Sequence, residues 1–218
     1  MRTLLRRPGP WTEFAIVIGI CLGWSIFESV RDFAVGRPLP RITGGDVLLL
    51  AAFELGVGFL AGGFLALRGW SWSAFNVRVT WRTTAGGVLL VLAGYASFIA
   101  GAIVVTLTPG GEELVRTLPD FPGVSIPVAA IGSVVNGCFE ELILIGYVIR
   151  VLEPQGLGIA MGASVLLRLL MNVSQGPLGA TGILFLGILF GVIYWDYRQL
   201  WPLILAHMIL DFLGLARL

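Results

Sequence analysis

The amino-acid sequence predicts an all-α fold, a polytopic membrane bundle of about seven transmembrane helices. Of its 218 residues, 57% are hydrophobic and only 12% are charged, whereas charged residues make up about 25% of a soluble domain. The mean hydropathy of +0.92 indicates the same class. Because each crossing needs about 20 residues, about seven crossings with short loops use the whole chain. We therefore expect residues 1–218 to form a single integral-membrane domain.

The apolar runs order the predicted crossings along the chain. The first begins at Trp11, an aromatic residue suited to the headgroup region. Asp46 is expected to cap the second, whose Gly58 and Gly62 have the four-residue spacing that lets helices pack closely. Within the polar stretch 109–126, the segment GEELVRTL is expected to form a short interfacial helix. The predicted crossings are about 11–30, 46–67, 85–107, 127–149, 159–173, 178–195 and 200–215.

The arginines predict the orientation of the chain. All 14 basic residues are arginine, and positively charged loops favour the cytoplasmic side. A cytoplasmic N-terminus places eight of them inside, namely Arg2, Arg6, Arg7, Arg68, Arg78, Arg82, Arg150 and Arg198, and five outside, namely Arg31, Arg37, Arg41, Arg116 and Arg217. We therefore expect a multi-pass protein of the cell membrane, the inner membrane of a bacterium, surrounded by lipid bilayer.

Composition excludes several kinds of function and site. A net charge of +1 gives no general attraction to nucleic acid. Cys21 and Cys138 both lie inside apolar runs, so neither a disulfide framework nor a CxxC metal site is expected. His207 is the single histidine, which excludes any site with two imidazole ligands, and we expect no metal and no other cofactor. The HExxH, GxGD and GxSxG patterns of zinc proteases, aspartyl intramembrane proteases and rhomboids are missing.

Two adjacent carboxylates, Glu140 and Glu141, interrupt the fourth predicted crossing. One charged side chain at the centre of a membrane helix costs roughly 2.5–3.5 kcal/mol even on lenient insertion scales. Two in succession therefore indicate a polar interior that uses them. A third intramembrane carboxylate, Glu54, is expected to be either an interhelical contact or part of this interior.

Three of the last four predicted crossings each carry a pair of polar residues four positions apart, which places each pair on one helix face. The pairs are Asn136 with Glu140, Arg168 with Asn172, and His207 with Asp211. Counting residues from the helix ends puts Glu140, Asn172 and His207 at a common depth. We therefore expect Glu140, Asn172, His207 and Asp211 to line one cavity.

Such a cavity is suited to carboxylate chemistry. Because two adjacent glutamates are not easily ionised together, one of them can act as a general base on a water molecule. His207 and Asp211 could then donate or orient hydrogen bonds at the oxyanion that forms when that water attacks a carbonyl.

Three motifs in this region resemble the CPBP family of intramembrane proteases, which includes CAAX-prenyl proteases and bacteriocin-processing enzymes. They are Glu140-Glu141, Asn172-Val-Ser-Gln175-Gly176, and the segment LWPLILAHMILD that ends in His207 and Asp211. The similarity covers about 127–215. It implies a glutamic endopeptidase that cuts a membrane-embedded peptide or protein, with Glu140 as the water-activating base. His207 and Asp211 would stabilise the oxyanion.

The first two motifs differ from those of the family. Ile145 stands where the family has arginine, and the second motif reads Arg168-Leu-Leu-Met-Asn172, without the family's phenylalanine and histidine. Because the chain has an arginine at 168 instead of 145, we expect Arg168 to pair with Glu141 and to leave Glu140 free for water. Two alternatives stay open: a catalytically impaired scaffold or regulator that binds membrane segments, and a proton-coupled carrier. A carrier typically has internal repeats, which the sequence lacks.

Overall fold

A computed structural model describes residues 9–39, 41–115 and 122–216. In these ranges the chain forms a bundle of helices, which confirms the predicted all-α class. The arginines at positions 2, 6, 7, 116 and 217, on which the predicted orientation partly depends, lie outside the described residues.

The first predicted crossing, 11–30, is broken. Helix α1 (Pro10–Cys21) and helix α2 (Gly23–Ala34) are bent by 66° at Leu22. At Leu22, φ is −117° and ψ is −14°, far from the values of an α-helix, and a glycine follows directly. The predicted first crossing therefore corresponds to two helices, which count as one span if the bent pair is taken together.

Helix α3 (Gly44–Leu67) begins with a capping box that differs from the prediction. Thr43 is the N-cap, and its side chain accepts a hydrogen bond from the Asp46 amide while the Asp46 carboxylate accepts one from the Thr43 amide. Asp46 is therefore the third helical residue and not the cap, because the threonine hydroxyl satisfies the free amide instead.

Helix α4 (Trp81–Thr106) starts four residues before the predicted boundary of 85, since Thr80 and Thr83 form a second capping box. Helix α5 (Gly111–Val115) begins the predicted interfacial segment GEELVRTL. The last three residues of that segment lie outside the described residues.

The fourth predicted crossing is continuous but changes its helical type. Helix α6 (Ile126–Glu140) passes into a π-helix (Glu141–Tyr147) and then into helix α7 (Val148–Leu152). In the π-helix the backbone bonds five residues back, as the amide of Val148 does to the carbonyl of Ile143. The π-helix and α7 are the centre of the core, since the hydrophobic side chains with no exposed surface here are Leu144, Ile145, Tyr147, Val148 and Ile149.

Helices α8 (Leu157–Asn172) and α9 (Gly176–Tyr197) form an antiparallel hairpin. A Cβ at Gly187 would lie 3.3 Å from Cδ of Arg168, and one at Gly191 would lie 3.1 Å from Cε of Met161. The hairpin turns at Gly176, whose φ of +81° lies in the left-handed region that favours glycine. Helix α10 (Trp201–Ala216) follows.

The described ranges contain four helical stretches long and apolar enough to cross a membrane: Gly44–Leu67, Trp81–Thr106, Ile126–Gln155 and Leu157–Tyr197, the last of which includes the hairpin. Counting the bent pair α1 and α2 as one span gives a fifth, and α10 is a shorter apolar helix. The chain is a multi-pass membrane protein. The predicted number of seven crossings stays a prediction.

Candidate active site

A cavity of about 550 Å³ lies between α4, α6, α8, α9 and α10. Its polar side chains are Asn136, Glu140, Arg168, Asn172, Gln175, His207 and Asp211. Its apolar side is formed mainly by Tyr95, Phe98, Ile183, Leu186, Leu210 and Leu213. The structure thus brings all three polar pairs predicted from their four-residue spacing to one cavity. Glu141, the remaining residue predicted for the site, is fully buried behind its wall.

Glu141 is held by two cationic side chains. Its Oε1 atom lies 2.6 Å from Nη2 of Arg168 and 2.6 Å from Nδ1 of His207. Since an ionised carboxylate only accepts hydrogen bonds, His207 donates from Nδ1 to this oxygen. The expected pair of Arg168 and Glu141 is present. The expectation that Arg168 leaves Glu140 free was wrong, because the guanidinium spans both carboxylates, with Nη1 3.3 Å from Oε2 of Glu140.

His207 therefore has a partner that its sequence position does not indicate. The four-residue spacing predicts that His207 and Asp211, one helical turn apart, act together toward the cavity. Instead, the closest contact of the ring is with Glu141, and its Nε2 atom lies 3.4 Å from Oδ1 of Asp211. With a carboxylate near each ring nitrogen, the doubly protonated, positively charged form of the ring is favoured.

Asp211 is held on its other side by Asn136, whose Nδ2 atom donates to Oδ2 at 2.7 Å. This contact completes a chain of polar contacts that begins and ends on α6. It begins at Asn136 on α6, passes to Asp211 and His207 on α10, to Glu141 on the π-helix and to Arg168 on α8, and returns to α6 at Glu140. Four helical segments are thus joined by charged side chains around the cavity.

Asn172 is engaged by its neighbours, although it lines the cavity. Its Nδ2 atom donates to the carbonyl of Arg168 at 2.9 Å, and its Oδ1 atom accepts from Nε2 of Gln175 at 2.6 Å. These bonds join the end of α8 to the turn before α9. Asn172 therefore acts first as a connector at this turn, with one amide hydrogen and one lone pair left for other partners.

The two adjacent glutamates lie in different surroundings, at the point where α6 passes into the π-helix. It begins at Glu141, directly after the last α-helical residue, Glu140. Glu140 lines the cavity, whereas Glu141 turns into the wall, where Arg168 and His207 meet. Single π-helical turns are frequent at functional sites, but the apolar sequence ELILIGY contains no local signal for one.

Glu54 on α3 belongs to the surroundings of this site. The side chain is buried, and α3 packs against α6, the helix that carries Asn136 and Glu140. In the sequence, Glu54 stands out as a carboxylate in the middle of an apolar helix. The sequence does not show which residues surround it. Among the described residues, no cluster of three or more histidine, cysteine or acidic side chains is arranged to hold a metal ion.

The part of the chain that contains the site matches a known family. The model of the family described as "Type II CAAX prenyl endopeptidase Rce1-like" matches residues 122–213, from just before α6 to the end of the cavity wall on α10. This match confirms the resemblance to the CPBP family. No curated protein and no solved structure gives a significant match to the chain.

Proposed function

We propose that this chain, whose residues 122–213 match the model of the Rce1-like type II CAAX prenyl endopeptidases, is an intramembrane endopeptidase. Its substrate would be a membrane-anchored or membrane-embedded peptide or protein, and Glu140 would be the general base. One observation carries the proposal: Glu140 lines the cavity, while Glu141 is removed from it by Arg168 and His207. The site therefore presents one glutamate to a substrate and keeps the other as part of its frame.

The proposed reaction begins with a water molecule between Glu140 and the scissile carbonyl. Glu140 takes a proton from this water, and the water oxygen forms a bond to the carbonyl carbon. The positive charges of Arg168 and His207, at the cavity wall, stabilise the oxyanion that results. When the carbon–nitrogen bond breaks, the proton on Glu140 passes to the leaving nitrogen, so that Glu140 is again a carboxylate.

The test is cleavage of membrane-anchored peptides by the purified protein in detergent. Glu140→Gln keeps the shape of the side chain but removes the base, so we expect turnover to disappear. The matched control is Glu112→Gln, which makes the same change at an exposed position on α5. Melting temperatures of both variants establish that they are folded. Cleavage by Glu140→Gln at the rate of the control would overturn the assignment of the base.

A second candidate function, a scaffold that binds membrane segments without cutting them, is favoured by one specific observation. The cavity-facing ionisable groups all have charged neighbours, and Asn172 stands where the family has its second-motif histidine. A scaffold would bind a membrane-anchored peptide equally well as wild type and as Glu140→Gln, and neither would cut it. Photocrosslinking of such a peptide, followed by mass measurement, distinguishes binding alone from binding with cleavage.

A further inference from the structure

Glu54 is a buried carboxyl group that the proposed reaction does not use. Only 4% of the residue is exposed, and its Oε2 atom has no hydrogen-bond partner among the described residues. Ala51 and Ala61, on the same helix, are buried as well, so this side of α3 faces the protein.

The packing of α3 against α6 locates Glu54 near the site. Val47 on α3 packs beside Gly132 on α6, and Gly58 on α3 packs beside the ring of Phe139. These two contacts bracket Glu54 on one helix and the stretch that contains Asn136 on the other. Glu54 therefore lies level with Asn136 where α3 packs against α6, and it is not among the residues that line the cavity.

The charges of this region do not balance if every acid is ionised. Four carboxyl groups, Glu54, Glu140, Glu141 and Asp211, stand against two cations, Arg168 and a protonated His207. Four negative charges against two positive ones would leave two uncompensated negative charges in a region that is largely buried. Uncompensated buried charge is strongly unfavourable, so the cluster has to bind protons. The described acidic side chains are not arranged to hold a metal ion instead.

The contacts decide which acid binds a proton first. Glu141 has two cationic partners at 2.6 Å, Glu140 has the guanidinium of Arg168, and Asp211 has the amide of Asn136 and the ring of His207. Among the described residues, no cation contacts Glu54, and its Oε2 atom has no hydrogen-bond partner. A buried oxygen without a partner is unfavourable in a neutral group and more unfavourable in a charged one.

We propose that Glu54 is a buried proton-binding site, a neutral carboxylic acid next to the charged network in the resting protein. With Glu54 neutral, three carboxyl groups face two cations, and the one remaining excess negative charge can lie on Glu140, which lines the cavity and needs this charge to act as a base. This last consequence rests on the proposed function, whereas the proton on Glu54 does not.

Infrared spectroscopy of the purified protein tests the proposal without any substrate. A protonated carboxylic acid has a carbonyl stretch well separated from the bands of carboxylates, and this stretch shifts in D₂O. At neutral pH we expect this signal in the wild type, a clear loss of intensity in Glu54→Gln, and no loss in Glu112→Gln. Unchanged intensity in Glu54→Gln would overturn the proposal.

Folding of neutral variants gives a second, independent result. If Glu54 is neutral, Glu54→Gln and Glu54→Met place a neutral side chain of similar size at the same position, and both should melt within a few degrees of the wild type. If both variants fail to fold, the site requires a negative charge at 54 and the proposal is wrong. Because neither measurement involves cleavage, failure of the proposed endopeptidase function would leave both results interpretable.

Discussion

The Nδ1 atom of His207 lies 2.6 Å from the Oε1 atom of Glu141, and the same oxygen lies 2.6 Å from Nη2 of Arg168. One oxygen thus contacts two cationic side chains from two different helices. Since Glu141 has no exposed surface and Arg168 only 2%, these contacts are removed from water, where charged hydrogen bonds are strongest and a missing partner is most costly. Glu141 is therefore primarily a structural residue of the site.

Glu141→Gln should destabilise the protein by about 3–5 kcal/mol, the usual cost of removing one member of a buried ion pair. The amide keeps the size of the side chain but leaves Arg168 and His207 without their shared charge. The measurement is the free energy of unfolding, or the melting temperature, in detergent. Glu112→Gln is the control for loss of one carboxylate. If the two variants have the same melting temperature, the ion pairs of Glu141 contribute nothing to the stability of the protein.

Arg168→Phe, which restores the residue of the family motif, should also lower the melting temperature. The expected loss is again about 3–5 kcal/mol, because Glu141 keeps His207 but loses its guanidinium partner. Adding Ile145→Arg should recover much of this loss. Ile145 is fully buried on the π-helix, four residues after Glu141, so an arginine there begins close to the same carboxylates. A double variant that melts no higher than Arg168→Phe alone would show that the charge cannot be moved.

Asn172→His places an imidazole where the family has its second-motif histidine. We expect turnover to rise, or to stay unharmed, since an imidazole at the cavity wall can share a proton with the water that Glu140 activates. The substitution removes the hydrogen bond that Gln175 donates to Asn172. Gln175→Ala is therefore the matched control for this loss. The measurement is initial cleavage rate on a membrane-anchored peptide. A lower rate in Asn172→His than in Gln175→Ala would exclude a helpful imidazole at this position.

Gly101→Ala should destabilise the bundle by about 1–3 kcal/mol, the usual cost of overpacking. A Cβ at Gly101 would lie 2.8 Å from the backbone nitrogen of Gly182 and 3.0 Å from its Cα, and backbone atoms cannot move aside as a side chain can. Gly62→Ala is the matched control, because nothing lies within 4 Å of its added Cβ. Equal melting temperatures for the two variants would mean that α4 and α9 can separate without cost.

The sequence predicts which residues meet at the site but not how they divide their roles. Spacing by four residues fixes which side chains share a helix face, and the common depth of Glu140, Asn172 and His207 predicts that they line one cavity with Asp211. The contact of His207 with Glu141 cannot be predicted in this way. Glu141 begins a π-helical segment, for which the apolar sequence contains no local signal.

The limits of the helix prediction have similar causes. The ends of α8 and α10 lie within three residues of the predicted boundaries, since long apolar runs define them. The 66° bend at Leu22 is missed because the apolar run continues through it, and hydropathy does not report backbone direction. Glu54 stands out in the sequence only as unusual, because its neighbours come from helices far away along the chain.

A chain of polar contacts runs from Asn136 through Asp211, His207, Glu141 and Arg168 to Glu140. It also restricts how such a sequence can change over generations. Replacing Arg168, His207 or Glu141 leaves an opposite charge without its partner away from water, so a lineage that makes one such change first passes through a weakened protein. Acceptable paths are those in which the gain of a charge at one position comes before its loss at another. An ancestor that carried arginine at both 145 and 168 is therefore the intermediate expected between the family motif and this chain, and its reconstruction should yield a folded protein.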